Sequence, residues 1–314
     1  MSGTVSERVA SVSYAFAWRV VRVLPERIAY LCFSALAQFA WLRQGRGVRQ
    51  LEANLSRVVP GASQLALKNL SRKGMHSYMR YWCDIFRLPD WTPERIESTV
   101  RVVGDEPVRK ALAEGRGVVM ALAHQGNWDH AGAWASLALA KVTTVAERLK
   151  PEDLFDQFVR FREELGMEVL PLTGGNDLFG TLVRRLRTGG FVPLLADRDT
   201  TDNGIVGEFF GESARIAAGP ATLALVTGAA LHPVSISYER LPSRSRARWG
   251  TVIQFHPEVT DPETGPRPER IAAMSQACAD ALAEGIRQSP QDWHMMQRVF
   301  LADLVPQVAP LASA

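Results

Sequence analysis

The chain lacks most of the features that announce a chemistry. Its 314 residues include only three cysteines, Cys32, Cys83 and Cys278. They lie far apart in apolar or helical contexts, so neither a disulfide framework nor a clustered metal site is expected, and a reducing compartment fits best. There is no G-x-x-x-x-G-K-[ST] phosphate loop, no G-x-G-x-x-G after a strand, no H-E-x-x-H and no G-x-S-x-G elbow. Neither a metal nor a resident cofactor is expected. A net charge of +3 is too small to argue for nucleic acid. The apolar run "IAYLCFSALAQFAWL" between Arg27 and Arg43 has fifteen residues, short of the ~20 that span a bilayer. No small-residue cleavage site follows it in the order of a secretory signal.

What is present is an ordinary globular composition, 46% hydrophobic and 22% charged, enough for a sizeable core without disorder or a repeat array. The charge is unevenly placed. Residues 1–50 hold seven arginines (Arg8, Arg19, Arg22, Arg27, Arg43, Arg46 and Arg49) against Glu7 and Glu26, a local balance of +5. The apolar run among them reads either as a buried core helix or as an interfacial helix, with Tyr30, Phe33, Phe39 and Trp41 at the lipid boundary and arginines on the headgroups.

Residues 1–100 read as helices, punctuated by turn residues. From about 101 to 260 strand-like and helix-like segments alternate: "GVVMALA", "KVTTVAE", "GMEVLPL", "FVPLLAD", "HPVSISYE" and "GTVIQFHPEV" as strands, with "PEDLFDQFVRFREELG", "NDLFGTLVRRLRTGG" and "GPATLALVTGAA" as helices between them. That alternation predicts an α/β fold, a central mainly parallel sheet with helices on both faces, preceded by a helical N-terminal region. Residues 266–300 read as a last amphipathic helix and a return segment. The expected layout is a membrane-docking region over 1–100, an α/β core over 101–300 and a tail over 301–314, together one integrated domain.

Within this pattern, "VVMALAHQGNWDHAGAW" (Val118 to Trp134) breaks from strand to helix at His124. Gly126 permits an unusual φ, and Asn127 is a good N-cap. Five positions on a continuous helix would separate His124 and Asp129 by roughly 140°, so the two meet only across a turn. There an Asp carboxylate could fix the imidazole tautomer and leave the other nitrogen free as a base. The ordinary alternative is a hydrogen-bonded His/Asp pair without chemistry. The carboxyl end of a strand in an α/β sheet favours function. With no positioned Ser or Cys nucleophile, such a His would deprotonate a bound hydroxyl directly.

"HQGNWD" resembles the H-x-x-x-x-D block of glycerolipid and lipid A acyltransferases. "LEANLSRVVP", "FREELG", "FVPLLADRD", "GEFFGESARIAAGPATLALVTGAALHPVSIS" and "SPQDWHMMQRVF" resemble further blocks of the late lipid A (lauroyl/myristoyl) acyltransferase superfamily in the same order, over roughly residues 45–300. The wording of "HQGNWDHAGAW" and "DWHMMQ" is most similar to the branch acting on phosphatidylinositol mannosides. This resemblance implies a peripheral protein on an anionic membrane surface, the inner face of the plasma membrane. It would move a fatty acyl group, typically palmitoyl, from acyl-CoA to a mannose hydroxyl, with His124 as general base. Asp129 is the motif acid, but the resemblance also implicates a later carboxylate, Asp197 or Asp199 of "ADRD". Asp197, closing "FVPLLAD", is the preferred partner; a surface turn with a salt bridge to Arg198 is the plain alternative. Arg162 would contact a phosphate or the thioester oxygen, or else pair with Glu163 or Glu164. Glu147 and Arg148 would sit near the acceptor sugar, with Arg198 and Asp199 as further substrate contacts. Enzymes of the lipid A branch usually begin with a membrane-spanning segment, which this chain is expected to lack, and that departure favours the peripheral mannoside branch. A mannosyltransferase stands as a candidate partner. A thioesterase, a non-catalytic lipid carrier, and another glycolipid or lysophospholipid acceptor are the competing readings.

Overall fold

The computed structural model describes residues 18–146, 152–172, 177–199, 204–242, 245 and 247–304. Its centre is a five-stranded sheet in the order β1-β9-β8-β2-β5. These strands are β1 (Val100–Val103), β2 (Val118–Leu122), β5 (Phe191–Leu195), β8 (Ala230–Arg240) and β9 (Trp249–Phe255). All pairings are parallel except β8 with β9. Beyond β5, a parallel pair of β3 (Thr143–Ala146) and β4 (Glu168–Pro171) is tied on by a parallel bridge from Val142 to Phe191. The mainly parallel sheet read from the alternation is thus the sheet observed.

Both faces of the sheet are covered, and β2 shows why its sequence is apolar throughout. Val119 and Ala121 point into a core shared with α9 (Leu178–Arg187), α10 (Gly219–Thr227) and α11 (Arg267–Gln288). Val118 and Met120 point the other way, into a core shared with α4 (Gln64–Arg87), α7 (Trp128–Ala138) and α8 (Glu152–Glu164). Alternate side chains of a strand leave opposite faces, so a strand between two helical layers has no polar side to show.

Three strands went unseen in the sequence. β1 has the half-buried alternation of an edge strand. β6 (Ile205–Phe209) and β7 (Glu212–Ile216) form an antiparallel hairpin apart from the main sheet. Its turn, Phe210–Gly211, has positive φ at both positions, 54° and 82°, the handedness that matches strand twist in two-residue loops.

The amino-terminal apolar run forms α2 (Glu26–Leu42), which follows helical residues 18–23 (α1). One side of it is core and the other is exposed. Ala29, Phe33 and Ala37 are buried, packing with Cys83 and Phe86 of α4, while Ile28, Leu31, Leu36, Phe39 and Leu42 are exposed, Leu31 at 67%. At roughly 100° per residue, the exposed set occupies one side of the helix, opposite the buried set. No helix among the described residues is long and apolar enough to cross a membrane.

Candidate active site

Strands β2 and β5 are parallel neighbours, in register from Val118 with Phe191 to Leu122 with Leu195. The chain continues two residues past each strand, so His124 and Asp197 stand side by side beyond the carboxyl ends, where loops of an α/β sheet collect ligands. The His124 Nδ1 lies 2.7 Å from Asp197 Oδ1, and the His124 backbone N–H donates to Oδ2 at 2.9 Å. Trp293 Nε1–H donates to the same Oδ2 at 2.8 Å. Burial works to raise the Asp197 carboxyl; the His124 charge and the three N–H donors outweigh it and hold the group below the ordinary carboxylate value. An ionised carboxylate can only accept, so in the neutral ring the proton sits on Nδ1 and Nε2 keeps its lone pair. Nε2 has no protein partner among the described residues.

The turn after His124 is built to hold this geometry. His294 donates its backbone N–H to the His124 carbonyl at 2.7 Å. Gly126, at φ +62°, donates to the Asp292 carbonyl at 2.8 Å, and a Cβ there would stand 2.5 Å from the Ile236 carbonyl oxygen. Glycine is therefore required both by conformation and by close approach. Asn127 Oδ1 accepts from His130 N at 2.9 Å and caps α7, as its side chain predicts.

Asp129 does not meet His124. Its carboxylate lies in the first turn of α7 and accepts from Arg162 Nε at 2.6 Å and Tyr81 Oη at 2.9 Å, so a local turn is not what orients the imidazole. Arg162 pairs with this acid and not with Glu163 or Glu164 beside it. The pairing faces inward: the Asp129 side chain is buried, and that of Arg162 is 18% exposed. Burial opposes the guanidinium charge, and Asp129 restores it, leaving Arg162 above its ordinary value.

A cavity of about 260 Å³ opens beside His124, bounded by the sheet residues Met120, Leu122, Phe191 and Ile253 and by Trp134, Phe155 and Phe158 from the covering helices. Tyr81, Trp128, Asp129 and Arg162 also line it. Its described lining residues include neither serine nor cysteine, and its Thr144 hydroxyl donates to the Pro193 carbonyl. Arg198 and Asp199 lie past Asp197 and outside this lining; the Arg198 guanidinium donates to the Gln297 side-chain oxygen. Glu147 and Arg148 lie outside the described residues. Sequence reasoning missed Tyr81 and Trp293, which carry no spacing signal. The block "DWHMMQ" was noticed as a whole, yet nothing in it says that the indole donates to Asp197.

Behind Asn127 lies a second buried carboxylate. Asp84 accepts from Tyr30 Oη, from Tyr238 Oη at 3.1 Å and from Asn127 Nδ2 at 3.3 Å. Burial nevertheless lifts its pKa to about 6. Against an unfolded value of about 3.9, the folded protein holds extra proton between those two values. The stabilisation from this group is therefore complete below pH 4 and is lost as pH rises through 6. Asp84→Asn, which cannot ionise, should melt furthest below wild type at low pH, and the gap should narrow by pH 7. Paired melting curves check this; a gap that widens with pH contradicts it.

A family model described as bacterial lipid A biosynthesis acyltransferase matches residues 5–302 of the chain. The chain is 43% identical over 298 residues to a phosphatidylinositol mannoside acyltransferase of Mycolicibacterium smegmatis, covering 95% of this chain and 93% of that protein. It is 41% identical over 304 residues to the protein of the same name from Mycobacterium tuberculosis, covering 96% and 92%.

Proposed function

The chain belongs to the bacterial lipid A biosynthesis acyltransferase family, and from that premise we propose that it is a phosphatidylinositol mannoside acyltransferase. It would move a fatty acyl group, palmitoyl by preference, from acyl-CoA to a mannose hydroxyl. The observation that carries this reading is the unpartnered Nε2 of His124, oriented through Asp197, at the rim of an apolar cavity. Burying an acyl chain there gains about 0.8 kcal/mol per methylene, whereas a sugar would lose its water without partners.

His124 Nε2 takes the proton of the acceptor hydroxyl as its oxygen bonds to the thioester carbonyl carbon. The tetrahedral intermediate collapses by breaking the carbon–sulfur bond, and the imidazolium returns the proton to the departing thiolate. Asp197 steadies the imidazolium without taking its proton. With neither serine nor cysteine among the described lining residues, direct transfer is favoured over an acyl-enzyme. Coenzyme A release from palmitoyl-CoA, followed by a thiol reagent, should depend on added phosphatidylinositol mannoside. Release at the same rate without acceptor would make the protein a thioesterase, and no release at all a carrier.

The acceptor is a lipid, and the proposed location is peripheral, on the cytoplasmic face of the plasma membrane, with a mannosyltransferase that makes the acceptor as the proposed partner. Support comes from α2, whose Ile28, Leu31, Leu36, Phe39 and Leu42 are exposed, with exposed Arg19 before it in the chain and exposed Arg43 and Arg46 just after it. Basic residues near anionic headgroups contribute roughly 1 kcal/mol each, and salt screens the attraction. Arg22 is no use for the test, because it is paired with Asp90. Replacing Arg19, Arg43 and Arg46 with Gln should weaken binding to phosphatidylinositol-rich vesicles and lower activity on vesicles more than on detergent-dispersed acceptor. A variant that binds vesicles like wild type but melts earlier would show the segment to be core only.

A further inference from the structure

A second cavity, of about 600 Å³, lies on the far side of α4 from the catalytic one. Helix α4 is the partition: Tyr81 and Trp82 face the catalytic cavity, while Arg72, Lys73, His76, Ser77 and Arg80 face the second. Its opposite wall is Tyr238 and Trp249 from β8 and β9, and Asn69, Gln291 and Asp292 complete it.

The charge in this cavity is mostly positive, although Arg80 also feels the buried carboxylates of Asp292 and Asp84. Neither Lys73 nor Arg80 has an ion pair among the described residues, and Arg72 donates to the neutral side chain of Gln38 at 2.7 Å. Arg80 is set in place by aromatic faces instead: its guanidinium carbon stands 3.6 Å from the Trp249 ring centre and 4.6 Å from that of Tyr238. That leaves its N–H edge available to an acceptor. The lone acid in the lining, Asp292, has both oxygens engaged, Oδ1 by the Ser77 hydroxyl at 2.6 Å and Oδ2 by the Tyr238 backbone N–H at 3.0 Å. Three cations line a cavity whose one carboxylate is already engaged by other donors, so the local field favours an anion. The space exceeds what one phosphate needs, and Asn69 and Gln291 offer amide groups suited to hydroxyls or a heterocycle.

We propose that this cavity binds a phosphate ester, its oxygens held by Arg72, Lys73 and Arg80, at a site separate from the one that holds the acyl chain. The proposal rests on the acyltransferase reading only for where such a phosphate comes from: the inositol phosphate head of a lipid, or the adenosine bisphosphate end of the acyl donor.

The test is calorimetric binding to the full chain of two soluble probes without acyl chains, glycerophosphoinositol and adenosine 3′,5′-bisphosphate. Wild type should bind at least one, with affinity that falls as salt rises, and Lys73→Gln together with Arg80→Gln should weaken it at least tenfold. The probe that loses affinity names the source. Because Arg80→Gln removes a stacked side chain, Lys73→Gln alone, on an exposed residue, keeps the test clear of misfolding and should cost about threefold or more. Equal binding of both probes to wild type and variants, or no binding to wild type, overturns the proposal. Acceptor-dependent acyl transfer by wild type is measured separately, so failure of the site and failure of the proposed reaction remain distinct results.

Discussion

His124→Ala is expected to lower acyl transfer by about 10² to 10⁴, the range for removing a positioned general base, while the fold stays near native. The side chain is partly exposed, and its charged neighbour keeps other donors: the backbone N–H of residue 124 and the Trp293 indole still serve Asp197. The loss should therefore appear in kcat with little change in melting temperature. Initial rates with palmitoyl-CoA and phosphatidylinositol mannoside, beside a melting curve, measure both. A folded variant keeping more than about a tenth of wild-type transfer, far outside the general-base range, would remove His124 from the mechanism.

The second large effect separates the two aspartates. Asp197→Asn replaces an acceptor of three N–H groups by an amide that presents its own N–H to one of them, so the imidazole loses its fixed tautomer; in serine hydrolases the same exchange costs about 10⁴ in kcat. A comparable loss is expected here, with the pH profile displaced because the imidazolium is no longer steadied. Asp129→Asn should behave differently. It leaves the Arg162 guanidinium facing a neutral group, at a cost on the order of 3 kcal/mol, the low end for breaking an inward ion pair, and the apparent pKa of the reaction should stay in place. If Asp129→Asn moves the pH profile and Asp197→Asn does not, the assignment of roles is reversed.

The contrast between these residues also shows what the sequence could tell. The strand, turn and helix around His124 were legible because each rests on neighbours in the chain: an apolar run, a glycine at the bend, an Asn cap. Asp197 came into view through the family resemblance, and its place at the end of a strand, a definite address in a parallel sheet, set it ahead of Asp199. Asp129 was misleading for the same reason it was noticed. Closeness in sequence suggested His124, but its partners, Tyr81 and Arg162, come from helices 48 and 33 residues away. Nothing in local spacing encodes such a pairing. Trp293 reaches Asp197 from 96 residues away and reads as an ordinary core aromatic. In the amino-terminal helix, composition could not choose between core and surface because the helix has one side of each kind.

The strand order has a consequence for how the chain is made. β1 pairs only with β9, Val100 finding Thr251, and β9 stands between β1 and the rest of the sheet. At a synthesis rate of about 5–20 residues per second, β1 waits roughly 8 to 30 seconds for β9, its partner among the described strands, to be made. Until then β1 has no strand to pair with, although β2, β5 and β8 can already pair with one another, and its edge is open to other chains. Non-local pairing of this kind makes folding slow and exposes intermediates to aggregation. A nascent chain halted before residue 249 should thus be protease-sensitive through β1, and full-length protein should gain resistance there only after β9 has paired.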